Sequence, residues 1–471
     1  MDTLTLTKND GTKVNLLSSA IDGFRGDLIT ESDSSYEDVR AIWNATSERR
    51  PGLIARCTGT ADVIAAVKFA AQNDLLTSVR GGGHNIAGSS LNEGGLTIDL
   101  SKMRGVDVNP LDRSVRVQGG ALLGDVDHET QAFGLAVPFG INATTGVGGL
   151  TLGGGFGWLS RAHAYTADNL ISADIVTADG TFRQISDQNE PDLFWAIRGG
   201  SGNFGVVTSF EFRCHPVGPM IMAGPVLHLL KDAREVYKEY AKLATAMPDE
   251  ASCWSVMRKA PPFPFIDEKY HGEPVLILAM AYVGTAADAE AALAPLRGIG
   301  APIGDAVGMV PYAAWQAAFD PLLAAGARNY WKSQDYIELP DELIEIMVTA
   351  IENLPSDDCE VFTAQVGGAS SRISSDAIAF PHRNHNYTMN IHGRWSKEAD
   401  DDACIEWVRD LCKKTDKFGT GGVYVNFMSE EEKDRKVGPY GDNLARLQGI
   451  KAKYDVDNRF RSNINISPSK P

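Results

Sequence analysis

The sequence predicts an α+β protein with two textures, and three observations carry that prediction. Strand-like runs and short helices alternate up to about residue 215. From residue 216 to 414, strands of alternating pattern (Val275–Val283, Cys359–Val366, Tyr387–Trp395) are interleaved with amphipathic helices such as Ala286–Ala294 and Asp341–Asn353. Runs of strands with helices grouped apart indicate an antiparallel sheet with flanking helices. Residues 415–471 then return to the glycine- and asparagine-rich style of the first region.

In chain order, residues 1–48 read as a lead-in with one short helix beginning at Ser35 and Tyr36. Gly52–Cys57 reads as a strand, Thr60–Ala71 as a helix, and Leu76–Arg80 as a second strand that ends in a glycine loop. Leu96–Leu100 and Ser114–Gln118 are further strands, and the helix over 121–134 stops at Gly134, a residue suited to close a helix. Ala178-Asp179-Gly180 marks a hairpin between Leu170–Thr177 and Thr181–Ile185. Asp192–Arg198 is a short helix closed by Gly199-Gly200, and Val206–Phe212 is another strand.

Composition excludes several classes. A net charge of −17 disfavours nucleic acid and anionic membrane surfaces, both of which would repel the chain. No run reaches the ~18 apolar residues of a membrane helix, and the N-terminus lacks the basic and apolar blocks of a secretory signal. Six cysteines without CxxC spacing fit free thiols in a reducing cytoplasm, not a disulfide framework or a metal site. A monomer or homodimer acting on a small molecule is expected.

Two glycine-rich stretches hold most of the functional information. One is SVRGGGHNIAG over 78–88, and the other is PFGINATTGVGGLTLGGGFG over 138–157. Glycines at this density let backbone approach a bound group, and their free N–H groups form concavities suited to phosphate. The second stretch fits neither a P-loop nor a convincing Rossmann fingerprint. His84 stands among the glycines of the first, and taken alone it reads as a hydrogen-bonding loop residue beside phosphate.

Taken with Arg198-Gly199-Gly200-Ser201-Gly202-Asn203-Phe204-Gly205, Phe380-Pro381-His382-Arg383, Tyr424-Val425-Asn426-Phe427 and the tail from Tyr454 to Asn465, these stretches resemble the berberine-bridge-enzyme-like FAD-linked oxidases. That family belongs to the vanillyl-alcohol-oxidase/PCMH-type flavoproteins, and the likeness to its bacterial hydroxynicotine-oxidase-like branch is the stronger. The resemblance implies a PCMH-type split FAD-binding domain of two α/β subdomains. It would comprise residues 1–215, with its core at about 49–215, and 415–471. The substrate domain, 216–414, would be inserted between them. It implies FAD bound covalently through His84. Flavin contacts are implied for Arg80, Gly81, Gly82, Gly83, Asn85 and Ser89, then for Asn142, Thr145, Gly148, Gly149, Thr151, Gly154 and Gly155. Gly205, Val206, Tyr424 and Asn426 complete that set, with Tyr424 and Asn426 on one face of a strand.

Departures from the family pattern matter as well. Asn142 stands where many relatives carry a cysteine that forms a second link, so a single link is expected. Leu150 replaces a histidine. Phe156 and Phe427 stand where the plant alcohol oxidases keep an acid/base pair of tyrosines, so that mechanism is closed to this chain.

On strand 386–395, period-2 alternation puts Thr388, Asn390 and His392 on one face. His392 is the group there that titrates near neutrality and is the candidate base. Asn390 and Gln365 are candidate orienting groups. His163 could border the site or lie on a surface helix, His382 and Arg383 read as turn-stabilising, and Ser429–Glu432 as a solvated helix start. The expected activity is hydride removal from an amine or alkaloid-type metabolite, with O2 reduced to H2O2. The alternatives are an alcohol or sugar oxidase or dehydrogenase, and a flavin-binding protein without turnover.

Overall fold

In the computed structural model, which describes residues 3–17, 21–434 and 438–469, the chain builds a four-, a five- and an eight-stranded sheet. In the first, Leu53–Arg56, Leu96–Asp99 and Thr77–Arg80 run parallel, with Asp27–Ile29 antiparallel at the edge. Leu96–Asp99 is buried at every position, as a parallel strand covered on both faces must be. Helix Thr60–Gln72 supplies one cover, laying Val63, Ala66, Val67 and Ala70 against the core of that sheet.

The five-stranded sheet is antiparallel, in the order Phe182–Ser186, Leu170–Val176, Val206–Arg213, Ser114–Gln118, Val106–Asn109. Its first two strands form the expected hairpin, and Gly180 takes φ +75° at the turn. The eight-stranded sheet is also antiparallel and centres on Pro274–Tyr282, Ala251–Lys259, Glu360–Gln365 and Tyr387–Trp395. Helices Ala233–Ala244, Ala286–Arg297, Asp341–Ile351 and Asp401–Thr415 share a hydrophobic core with one of its faces. The other face carries Trp254, Ala279, Phe362 and Ala364, which pack with Phe156, Trp158 and Tyr424. A large cavity lies at that junction.

Three expectations are corrected. The lead-in holds a hairpin, Thr3–Thr7 with Lys13–Leu17, besides the edge strand; its Thr-, Lys- and Asn-rich strands bury too little for alternation to reveal them. Tyr424–Phe427 is not a strand, because Val425–Phe427 closes a 3-10 turn. The acidic run is not merely solvated. Glu432 is buried and accepts from the Ser429 N–H at 3.0 Å, and Glu431 meets Lys332 at 3.0 Å across the fold.

The tail is locked onto the turn at Ser201–Asn203. Lys451, fully buried, donates to Asp455 Oδ2 (2.6 Å), Asn203 O (2.6 Å) and Phe460 O (2.9 Å). Burial lowers its pKa while Asp455 opposes that shift. Removing one partner of such a pair strands the other charge in the interior. Lys451→Ala is therefore expected to cost ~3–5 kcal/mol, seen as a lower urea midpoint. An unchanged midpoint would show that water reaches Asp455.

Candidate active site

The two glycine stretches meet backbone to backbone. A Cβ added at Gly82 would lie 2.4 Å from the Gly146 nitrogen, and one at Gly146 would lie 2.3 Å from the Gly82 nitrogen. Only glycine at both positions permits this approach. The contact forms one wall of a cavity of about 340 Å³, reached at one end by Phe460 and Ser462–Ile464 from the tail. At that end Ser90 Oγ and Asn463 Oδ1 are buried without a hydrogen-bond partner among the described residues. Orphaned polar atoms of this kind are the signature of a polar ligand's berth.

His84 lines the middle of the cavity. Its ring stacks on Trp43 (centroids 5.3 Å apart, 22° between planes), and Trp43 is pinned by its Nε1–H to Leu323 O at 2.8 Å. Burial lowers the imidazole pKa to about 4, against an opposing interaction with the Thr144 backbone, so His84 is neutral at pH 7. Its Nε2 lies 2.9 Å from Thr144 Oγ1, and that hydroxyl donates to Asn142 Oδ1 at 2.6 Å.

The far end is walled by aromatic rings. Trp158 and Trp254 lie 4.6 Å apart, Phe156 packs on Tyr424 at 4.7 Å, and Phe362 and Phe427 complete the surface. Against it stand Arg258, Glu360 and His392. Arg258 Nη1 donates to Glu360 Oε2 at 2.6 Å, while His392 Nδ1 is 3.2 Å from Glu360 Oε1. His392 Nε2 faces Asn329 Oδ1 at 3.1 Å, and the Trp331 ring meets the imidazole edge-on at 4.4 Å. Burial, the largest influence on both groups, would raise Glu360, but Arg258 and His392 hold its pKa down to about 2. The same burial lowers His392, with Glu360 pulling the other way. The carboxylate is thus ionised, and the imidazole, its pKa lowered by burial, sits between two acceptor oxygens.

The family model described as an FAD binding domain matches residues 51–186, and one described as berberine and berberine like matches residues 423–467. An FAD-linked oxidoreductase of Dictyostelium discoideum is 31% identical over 441 residues, 93% of each chain. This chain belongs to the berberine-bridge-enzyme-like FAD-linked oxidoreductases. It is also 30% identical to the (R)-6-hydroxynicotine oxidase of Paenarthrobacter nicotinovorans, over 94% of this chain and 97% of that one. The crystal structure of 6-hydroxy-D-nicotine oxidase from Arthrobacter nicotinovorans matches with a TM-score of 0.86 at 27% identity, covering 96% of this chain and all of that one (100%).

In this oxidoreductase the glycine-lined wall and the orphaned Ser90 and Asn463 atoms suit a flavin dinucleotide. Of the residues singled out from the sequence, Gly81, Gly82, Gly83, His84, Asn85, Ser89, Asn142, Thr145, Gly148, Gly149, Gly205, Tyr424, Asn426 and His392 line the cavity.

Others lie elsewhere. Arg80 turns away, its guanidinium bound to the carbonyls of Val39 and Ala41. Thr151 spends its hydroxyl on Val147 O (2.7 Å), and Val206 is in the core of the parallel sheet. Gly154 and Gly155, at φ +113° and +76°, turn the chain so that the Gly155 N–H reaches Tyr424 Oη at 3.1 Å. Gln365 is on the opposite face of its strand, bound to Ala244 O (2.8 Å) and the Cys253 N–H (3.2 Å), because its partner in register, Tyr387, faces the helices. Thr388 donates to Asp335 (2.8 Å), and Asn390 is buried beside the cavity with its amide unpartnered among the described residues. His163 stacks on His215 at 3.8 Å, outside the cavity lining. Arg383 holds Asp168 through two bonds of 2.7 Å, an anchor rather than a reactive group.

Sequence reasoning missed Trp43, Thr144, Arg258, Trp331 and Glu360. Glu360 had a signal, as a charge on a strand face that otherwise presents Phe362 and Ala364.

Proposed function

We propose that this oxidoreductase is an oxidase that takes a hydride from a small amine- or alkaloid-type molecule and reduces O2 to H2O2, using FAD attached to His84. The flavin supplies the hydride acceptor and the site of reoxidation; the chain binds, orients and handles the proton. The aromatic far wall carries this reading. Phe156, Trp158, Trp254, Phe362 and Phe427 offer ring faces to a flat or cationic substrate, with Arg258, Glu360 and His392 as the charged and titratable groups opposite.

A sugar would lose its hydrogen bonds to water there with few partners in return. The indole N–H groups of Trp254 and Trp331 are buried without acceptors among the described residues, so a substrate bearing a ring nitrogen or carbonyl would satisfy them.

The proton step falls to His392. Its Nδ1–H is held by Glu360, so a second proton would be taken up on Nε2. A proton taken up there gains Asn329 Oδ1 as acceptor and Glu360 as counter-charge. The buried cysteine thiols suit the proposed reducing cytoplasm; no helix among the described residues is long and apolar enough to cross a membrane.

Oxygen uptake with matched panels of aromatic amines, alcohols and oligosaccharides tests the reading, repeated with an artificial electron acceptor. Turnover is expected with amines, with peroxide formed one-for-one. Turnover confined to sugars, or only with the artificial acceptor, would replace it.

A further inference from the structure

Thr144 has one hydroxyl proton, and the geometry assigns it. Asn142 Oδ1 lies 2.6 Å from Thr144 Oγ1 and also accepts the Thr144 backbone N–H at 3.0 Å. Two donors converging on one atom identify it as the amide oxygen, which can only accept. The Thr144 proton therefore points at Asn142, and Thr144 Oγ1 offers its lone pair to His84 Nε2 at 2.9 Å. A neutral imidazole in that position must carry its hydrogen on Nε2, which leaves Nδ1 with the free pair. The Trp43 stack fixes the plane of the same ring.

We infer that Asn142 and Thr144 are positioning residues for flavin attachment, fixing His84 in the Nε2–H tautomer so that Nδ1 forms the bond. This rests on the covalent reading of His84. In the step, Nδ1 bonds to the carbon of a ring methyl on the flavin. One C–H bond of that methyl and the Nε2–H bond break, and both protons leave. The two electrons released pass through the flavin ring to O2, which takes up two protons and becomes H2O2. Nε2, now without hydrogen, receives a bond from the Thr144 hydroxyl once that hydroxyl turns. Asn142, standing where relatives carry a thiol, thus serves the remaining link.

The test compares the purified chain with Thr144→Val, Thr144→Ser and Asn142→Ala. Reconstitution of each with FAD is followed in time by acid precipitation, and the linked nitrogen is read from the flavopeptide by NMR. The unaltered chain and Thr144→Ser are expected to link through Nδ1 alone. Thr144→Val and Asn142→Ala should attach FAD ~10-fold more slowly, the scale of one lost hydrogen bond, and give a mixture of nitrogen isomers. Binding of FAD before acid treatment shows that a variant is folded.

Linkage through Nε2 in the unaltered chain would overturn the inference. So would Thr144→Val and Asn142→Ala linking at the parent rate through Nδ1 alone. An unaltered chain with no covalent flavin, or with flavin on another residue, would instead remove the reading of His84 on which the inference stands.

Discussion

His84→Ala is expected to purify with FAD that leaves entirely on acid precipitation, whereas the unaltered chain keeps its yellow colour in the pellet. The cavity should still hold the cofactor before acid, because the Gly82–Gly146 wall and the polar atoms of Ser90 and Asn463 do not depend on the imidazole. The neutrality of His84 favours the link, since a half-buried imidazole held near pKa 4 keeps a lone pair at any physiological pH. Alkylation also draws electron density from the ring, so the variant should be the weaker oxidant. Extractable flavin in the parent chain would end the claim.

His392→Ala is expected to slow flavin reduction by ~10²–10⁴-fold, the usual contribution of a positioned acid/base group. Its pKa is shifted downward by burial, so the base is present above that value and lost as pH falls through it. The parent enzyme should therefore show a limb on the acid side of the reduction profile, and the variant should not. Glu360→Gln should keep the ring in place but weaken the counter-charge, giving a smaller loss. Anaerobic stopped-flow reduction across pH measures all three. A variant that reduces at full speed with the limb intact would remove His392 from catalysis and point to a substrate that enters already uncharged.

The parts of the site legible in the sequence were those where local geometry demands a residue type. Gly82 and Gly146 had to be glycine because another backbone occupies the place of a Cβ, and a run of glycines is visible without any structure. Strand alternation likewise put His392 on the cavity side of Tyr387–Trp395. What could not be read was the partner across space. Gln365 reads from the sequence as an orienting group of the pocket, but register with Tyr387 sets its face, and register is decided by pairing between strands. Trp43 is separated from His84 by a strand, a helix and a second strand, so nothing local links the two rings. Thr144 was in view as part of the second stretch, yet its role depends on where His84 lies.

The tail's place in the cavity also orders events during synthesis. Phe460 and Ser462–Ile464 line part of the cavity, and the chain that carries them is pinned through Lys451 to Asn203 and Phe460. A ribosome makes these residues well after both glycine stretches. Both glycine stretches will have emerged, with their sheets free to fold, while one side of the cofactor berth is still missing. Loading with flavin therefore waits for the tail, since the berth lacks part of its lining until Phe460 and Ser462–Ile464 have docked.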